Sequence, residues 1–262
     1  MKIFMNNWTY IAWFLFYVLL FGVLTMGLIL PFYAVFFLIA FFPFSEQLWR
    51  KVSGIRPLRL RQEKDRLYSL LEEVKAEATD LEINISQDID LFIQESRDIN
   101  AFAFGRSTLV LTKGSIDMLN DEQIKGLIAH ELGHFAFRDT TVSLFFLVAN
   151  FPMSFLMAQF YKIEKKLDDN DNFFKFFFSL FFGIFKMIDF TANLMTRYQD
   201  RQKEYRADYF AFKIGFGNDL ANVLIEVYQI SMEKPSSIKQ IVDATHPHIT
   251  KRIEKLENLL DI

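Results

Sequence analysis

Between Trp8 and Phe44 the chain runs for 37 residues without a charged side chain, and nothing else in the sequence restricts its folding more. The run far exceeds the roughly 7–15 residue apolar core of a cleaved leader. It is nearly twice the ~20 residues that cross about 30 Å of hydrocarbon as a helix. It therefore predicts either one tilted, kinked span or a tight hairpin of two, with Gly27 and Pro31 marking the break. The flank before the run carries Lys2, whereas the flank after it carries Arg50, Lys51, Arg56, Arg59, Arg61, Lys64 and Arg66. Basic residues concentrate on the cytoplasmic side of a span, so the chain after residue 45 is expected to begin in the cytoplasm. The same residues suit contact with anionic headgroups of a lipid bilayer.

Composition narrows the function classes. Hydrophobic residues make up 52% of the chain, including 32 Phe, and they are clustered. A net charge of -3 gives no basic surface for nucleic acid. Cysteine is absent, so disulfides are excluded and a transition metal would have to be held by histidine and carboxylate.

The four histidines fall in two places, His130 with His134 and His246 with His248. Residues four apart on a helix lie one above the other, so His130 and His134 can ligate one ion from the same face. Glu131 beside them is badly placed as a ligand but well placed to take a proton from water at the metal. The local sequence predicts the helix. Asn120 reads as its N-cap, Gln123 completes a capping box, and Ile124, Leu127, Ile128, Ala129, Leu132 and Phe135 leave little polar face apart from the motif. Gly133 removes a side chain beside the site, as if another segment comes close there.

Upstream, Pro57 to Ala78 reads as a helix, and Leu81–Ile85, Ile89–Phe92, Ala101–Phe104 and Leu109–Thr112 as strands of a small sheet. Asn100 to Gly105 is either an edge strand that pairs with an extended peptide or an ordinary hairpin arm. Downstream, Thr141–Tyr161 is 21 residues without a charge. Phe173–Met195 is apolar but interrupted by Lys175, Lys186 and Asp189, and so makes a poorer span. If a residue beyond 195 shares an ion with His130, the intervening chain must cross a bilayer twice or not at all; a hairpin fits best. The expected organisation is transmembrane segment(s) over 1–45, the first part of a catalytic domain over 46–140, a transmembrane hairpin over 141–196 and the second part of the domain over 197–262.

A metal held by two histidines needs a third protein ligand. Arg201, Glu204 and Asp208 share one face of a charged helix. On spacing alone, that face is either the source of the ligand or a solvated surface that also bears Lys203 and Arg206.

Taken in order, Asn100-Ala-Phe-Ala-Phe-Gly105, His130-Glu-Leu-Gly-His134, Arg201-Gln-Lys-Glu-Tyr-Arg-Ala-Asp208 and Thr245-His-Pro-His-Ile-Thr-Lys-Arg252 resemble the motifs of the HtpX-like membrane zinc metallopeptidases, a family related to the CAAX prenyl endopeptidases. The resemblance covers roughly residues 50 to 262 and implies a mainly α integral membrane protein. Its zincin-like catalytic domain would contain a small β-sheet and be attached to three or four transmembrane helices. It implies that His130, His134 and Glu204 hold one Zn2+ per chain and that Glu131 is the catalytic base. Asp208, with Arg201 on the same face, would stand behind the ligands, Asp208 orienting a histidine. Residues Asn100, Ala101, Phe102, Ala103 and Phe104 would bind substrate. His246 would stabilise the oxyanion, whereas His248 replaces the second proline of the family's usual Thr-His-Pro-Pro and reads as a surface variant. The basic or histidine residue that often follows the metal helix is represented by Phe137-Arg138. The implied activity is endoproteolysis of misfolded or membrane-associated proteins at the cytoplasmic face of a bacterial cell membrane. The alternatives are processing of lipidated C-termini and a non-enzymatic membrane sensor with a structural metal site. Oligomeric state is not legible.

Overall fold

The computed structural model describes residues 30–81, 83, 85, 88–149, 200–233 and 249–260, with isolated helical positions at 11, 12, 15, 16, 18, 19, 158, 159, 162, 176, 180 and 183. The chain divides into two compact units, residues 1–45 with 144–200 and residues 46–143 with 201–262. In the first unit the continuous described element is α1 (Leu30–Phe41), a wholly apolar helix. Among the described residues no helix is long and apolar enough to cross a membrane. The expected spans at Trp8–Phe44 and Thr141–Tyr161 lie partly, and that at Phe173–Met195 almost wholly, outside the described residues.

The second unit is mainly helical around a small mixed sheet. Its elements are α2 (Pro43–Val52, which begins in the first unit), β1 (Ile55–Pro57), α3 (Arg61–Asp80), β2 (Asp90–Gln94), β3 (Ala101–Phe104) and β4 (Thr108–Thr112). There follow α4 (Lys113–Met118), α5 (Asp121–Ala136), α6 (Asp139–Ala149), a helix α7 over 200–213, α8 (Gly217–Glu233) and α9 (Ile249–Leu260). The sheet order is β1-β2-β4-β3. β2 and β4 run parallel, and β1 and β3 are antiparallel strands on either side of them. Every residue of β4 is buried, as a strand covered on both faces requires.

Two expectations are corrected. Pro57 ends β1 instead of opening a helix, and α3 begins at Arg61. Proline cannot donate to a ladder but is tolerated in an edge strand, which β1 is. The described positions between Leu81 and Ile85 form no strand.

Around the sheet the helices bury stripes. Leu67, Leu70, Leu71, Val74 and Ala78 of α3 recur at helical spacing and are all buried. Ile124, Ile128 and Leu132 of α5 are fully buried, each stabilising the fold by about 1.5–3 kcal/mol relative to exposure. α5 packs against α8, α3 and β3, which makes it the centre of the unit, and α8 packs in turn against α9.

Candidate metal centre

α5 starts where its cap dictates. The Asn120 side chain accepts from the Gln123 N–H, and the Gln123 side chain accepts from the Asn120 N–H. Ten residues on, His130 and His134 occupy one face, their rings edge-to-face with centroids 4.9 Å apart. His130 is 2% exposed and Glu131 3%. The helix ends through Arg138, whose φ of 59° is a left-handed conformation. Phe137-Arg138 thus makes a helix-terminating turn, and that turn delivers Asp139 to a point 3.6 Å from Nδ1 of His134.

The second wall comes from α7, and Gly133 lets it approach. A Cβ at Gly133 would stand 2.9 Å from the Cα of Ala207, so the two helices cross in contact at this point. One turn before Ala207, Glu204 reaches both histidines. Its Oε2 is 3.5 Å from His130 Nε2 and its Oε1 is 3.6 Å from His134 Nε2. One ligand atom from each of the three residues lies within 4.8 Å of the others. Donors about 2.1 Å from a tetrahedral ion stand ~3.4 Å apart, close to the spacings seen.

Behind each imidazole sits a carboxylate held by an arginine. Asp208 Oδ1 is 2.9 Å from His130 Nδ1, so the Nδ1 proton points at the carboxylate and Nε2 faces Glu204. Arg252, from α9, grips Asp208 with Nε at 2.8 Å and Nη2 at 2.7 Å, and extends Nη1 to Glu204 Oε2 at 2.8 Å. On the other side Arg206 binds both oxygens of Asp139 at 3.1 and 3.2 Å and lies over the Phe137 ring.

Electrostatics favour a cation. Burial and the nearby Arg252 oppose a charged His130, but hydrogen bonds to Asp208 and Glu204 outweigh them and raise its pKa to about 9. Burial works against the charge of Asp208 too, yet Arg252 and His130 hold its carboxyl below the usual range. Burial likewise opposes the charge of Arg252, and Asp208, Glu204 and Glu131 more than restore it. Asp208, Glu204 and Glu131 thus gather three carboxyl groups around the imidazoles and Arg252. Two imidazoles and a carboxylate in such an acidic setting suit a divalent transition metal, and the donor set contains no thiolate.

Beside α5 lies β3, the edge strand of the sheet among the described residues. The bond from the Thr112 N–H to the Asn100 carbonyl fixes which β3 residues bond to β4. Antiparallel pairs alternate, so Phe102 and Phe104 turn their backbone groups toward β4, and Ala101 and Ala103 turn theirs outward. The Asn100 carbonyl also accepts from Ser115, and its N–H donates to Ser115 and Thr112, so Asn100 closes the upstream end of the strand.

The structure therefore brings together His130, Glu131, His134, Glu204 and Asp208, with β3 packed against α5. Arg201 lies one turn before Glu204, half-buried. His246 and His248 lie outside the described residues. Arg252, Arg206 and Asp139 were not placed in the site by sequence reasoning. Arg252 stood in a quoted motif, but no spacing rule ties a residue on α9 to one on α5.

One buried and one half-buried imidazole, a carboxylate from a crossing helix and a neighbouring sheet edge fit a metallopeptidase, and comparison with known proteins bears out that class. The model of "Peptidase family M48" matches residues 62–260, and the chain belongs to that family. It is 30% identical to a "Protease HtpX homolog" of Bacteroides fragilis (strain YCH46), over 85% of this chain and 77% of that protein. A "Protease HtpX homolog" of Aquifex aeolicus (strain VF5) is 27% identical, over 81% of this chain and 77% of the relative. The fold is similar to the crystal structure of S. mikatae Ste24p, with a TM-score of 0.50 and 17% identity, covering 98% of this chain and 66% of that one.

Proposed function

We propose that this metallopeptidase is a membrane-attached zinc endopeptidase in which His130, His134 and Glu204 hold the ion and Glu131 is the catalytic base. The observation that carries the reading is the convergence of three donors, from α5 and α7, within 4.8 Å of one another. The donor set is the two-histidine, one-glutamate combination of catalytic zinc sites, with no fourth protein ligand among the described residues. When bound, the ion supplies Lewis-acid chemistry, acidifying water toward a pKa of about 7 and polarising a carbonyl.

The chain's own residues do the rest. Glu131 takes a proton from water as its oxygen bonds to the scissile carbonyl carbon, then passes that proton to the nitrogen as the C–N bond breaks. Asp208 holds His130 in the tautomer that leaves Nε2 free, and Arg252 holds Asp208. His246 takes the part of stabilising the charged oxygen. An extended substrate pairs with the outward-facing backbone of Ala101 and Ala103. The charge-free runs of the sequence attach the enzyme to a lipid bilayer, and the basic flank after Phe44 puts the catalytic unit on the cytoplasmic side. Its substrates are then membrane-associated or misfolded proteins with exposed strands.

The test is Glu131→Gln in the full chain. The variant is expected to retain its zinc while losing about 10²–10⁴-fold in peptide cleavage. Full activity in that protein would contradict the assignment.

A further inference from the structure

The turn that joins β3 to β4 is gripped from both sides. On one side, Glu46 of α2 is 6% exposed although it is a carboxylate. Its Oε2 accepts from the Arg106 N–H at 3.0 Å. Its Oε1 accepts from the Ser107 N–H at 3.2 Å, the Ser107 hydroxyl at 3.3 Å, the Thr108 hydroxyl at 2.5 Å and Arg50 Nη2 at 3.2 Å. Arg50 in turn donates to Ser107 and Thr108, reaches Asp90 of β2 and lies over the Phe92 ring. Gly105 makes the grip possible twice over: its φ is 66°, and a Cβ there would meet the Glu46 carboxyl carbon at 2.4 Å.

On the other side, the Gly105 carbonyl accepts from the Thr140 hydroxyl at 2.8 Å and the Thr141 hydroxyl at 3.0 Å. Gly105 is the turn residue that directly follows Phe104, the last residue of β3. The two threonines therefore hold the turn at the downstream end of the edge strand. They directly follow Asp139, the carboxylate facing His134. One turn of α6 thus touches both a candidate metal ligand and the sheet edge.

We infer that Glu46, Thr140 and Thr141 are positioning residues that fix the substrate-pairing edge of β3 in register with the metal ligands. This inference rests on the peptidase reading above. A carboxylate here serves better than an amide because all its partners are donors. Burial opposes its charge, but hydrogen bonds from Thr108, Arg106 and Ser107 and the charge of Arg50 more than compensate, leaving its pKa below the usual carboxylate value. In Glu46→Gln an NH2 group would face N–H and O–H donors, loosening the turn without removing volume.

The experiment compares the full-length zinc-loaded protein with Glu46→Gln, the Thr140→Val/Thr141→Val double variant and the hydroxyl-retaining Thr140→Ser/Thr141→Ser variant. A fluorogenic extended peptide is the probe, and amide hydrogen exchange at residues 101–105 is followed alongside. Glu46→Gln and the valine variant are expected to raise KM by about tenfold, with kcat within roughly twofold and zinc content unchanged. Exchange at 101–105 should quicken in both, and the serine variant should restore KM. Unchanged KM and exchange would overturn the inference. So would a fall in kcat at constant KM, or loss of zinc in Glu46→Gln, since those outcomes describe a purely structural role. Absence of Glu131-dependent cleavage in the unaltered protein would instead overturn the peptidase reading, and the positioning role with it.

Discussion

His130 carries the most information of any single residue. Its Nδ1 is committed to Asp208 at 2.9 Å and its Nε2 lies 3.5 Å from Glu204, so one ring links the proton-holding and ion-holding sides of the site. Orienting carboxylates of this kind fix the tautomer and raise ligand basicity. Asp208→Asn keeps the shape but removes the charge that Arg252 and His130 both face. It is expected to weaken zinc binding by about 10–100-fold, measured by competition with a chelator. Zinc affinity equal to that of the unaltered protein would show that Asp208 does not orient the histidine. Arg252 belongs with these residues although sequence spacing did not single it out. A buried arginine 122 residues from His130 is related to it only by the packing of α9.

At the scale of elements, the crossing of α5 and α7 decides the geometry. Gly133 costs helix propensity and yields contact between the helices at Ala207, which puts Glu204 one turn away and opposite the imidazoles. Gly133→Val would force the helices apart at backbone atoms, at an expected cost of about 1–3 kcal/mol in stability and a larger relative loss of zinc affinity. Thermal melting with and without zinc would measure both, and an unperturbed zinc-induced shift in Tm would count against this role for the crossing. Much of α5 was legible in the sequence, because the cap, the capping box and the apolar periodicity are local signals. The approach of α7 was legible only as a suspicion at Gly133, a residue too small for the pattern around it. β1 was not legible: three residues ending in proline resemble a helix start, and only their pairing with β2 makes them a strand. Nor was the part played by Arg138, whose backbone and not its charge ends the helix.

At the scale of the whole molecule, the two units are built from alternating pieces of chain, so residues 46–143 and 201–262 form one unit although 144–200 separates them in sequence. Under the proposed membrane attachment, with 141–196 as a transmembrane hairpin, both pieces of the catalytic unit would lie on the same side of the bilayer. On this reading a reporter active only outside the cell should work when inserted between Lys162 and Asp171 and fail when fused after Ile262. Activity at both sites would refute the hairpin topology. The proposed chemistry depends throughout on Glu204 joining His130 and His134 at one ion. The most direct measurement is therefore the zinc-to-protein ratio of the purified full chain and of Glu204→Ala, at equal protein concentration and after identical dialysis. One zinc per chain in the first and a ratio near zero in the second is the expected result; equal zinc in both would remove Glu204 from the site.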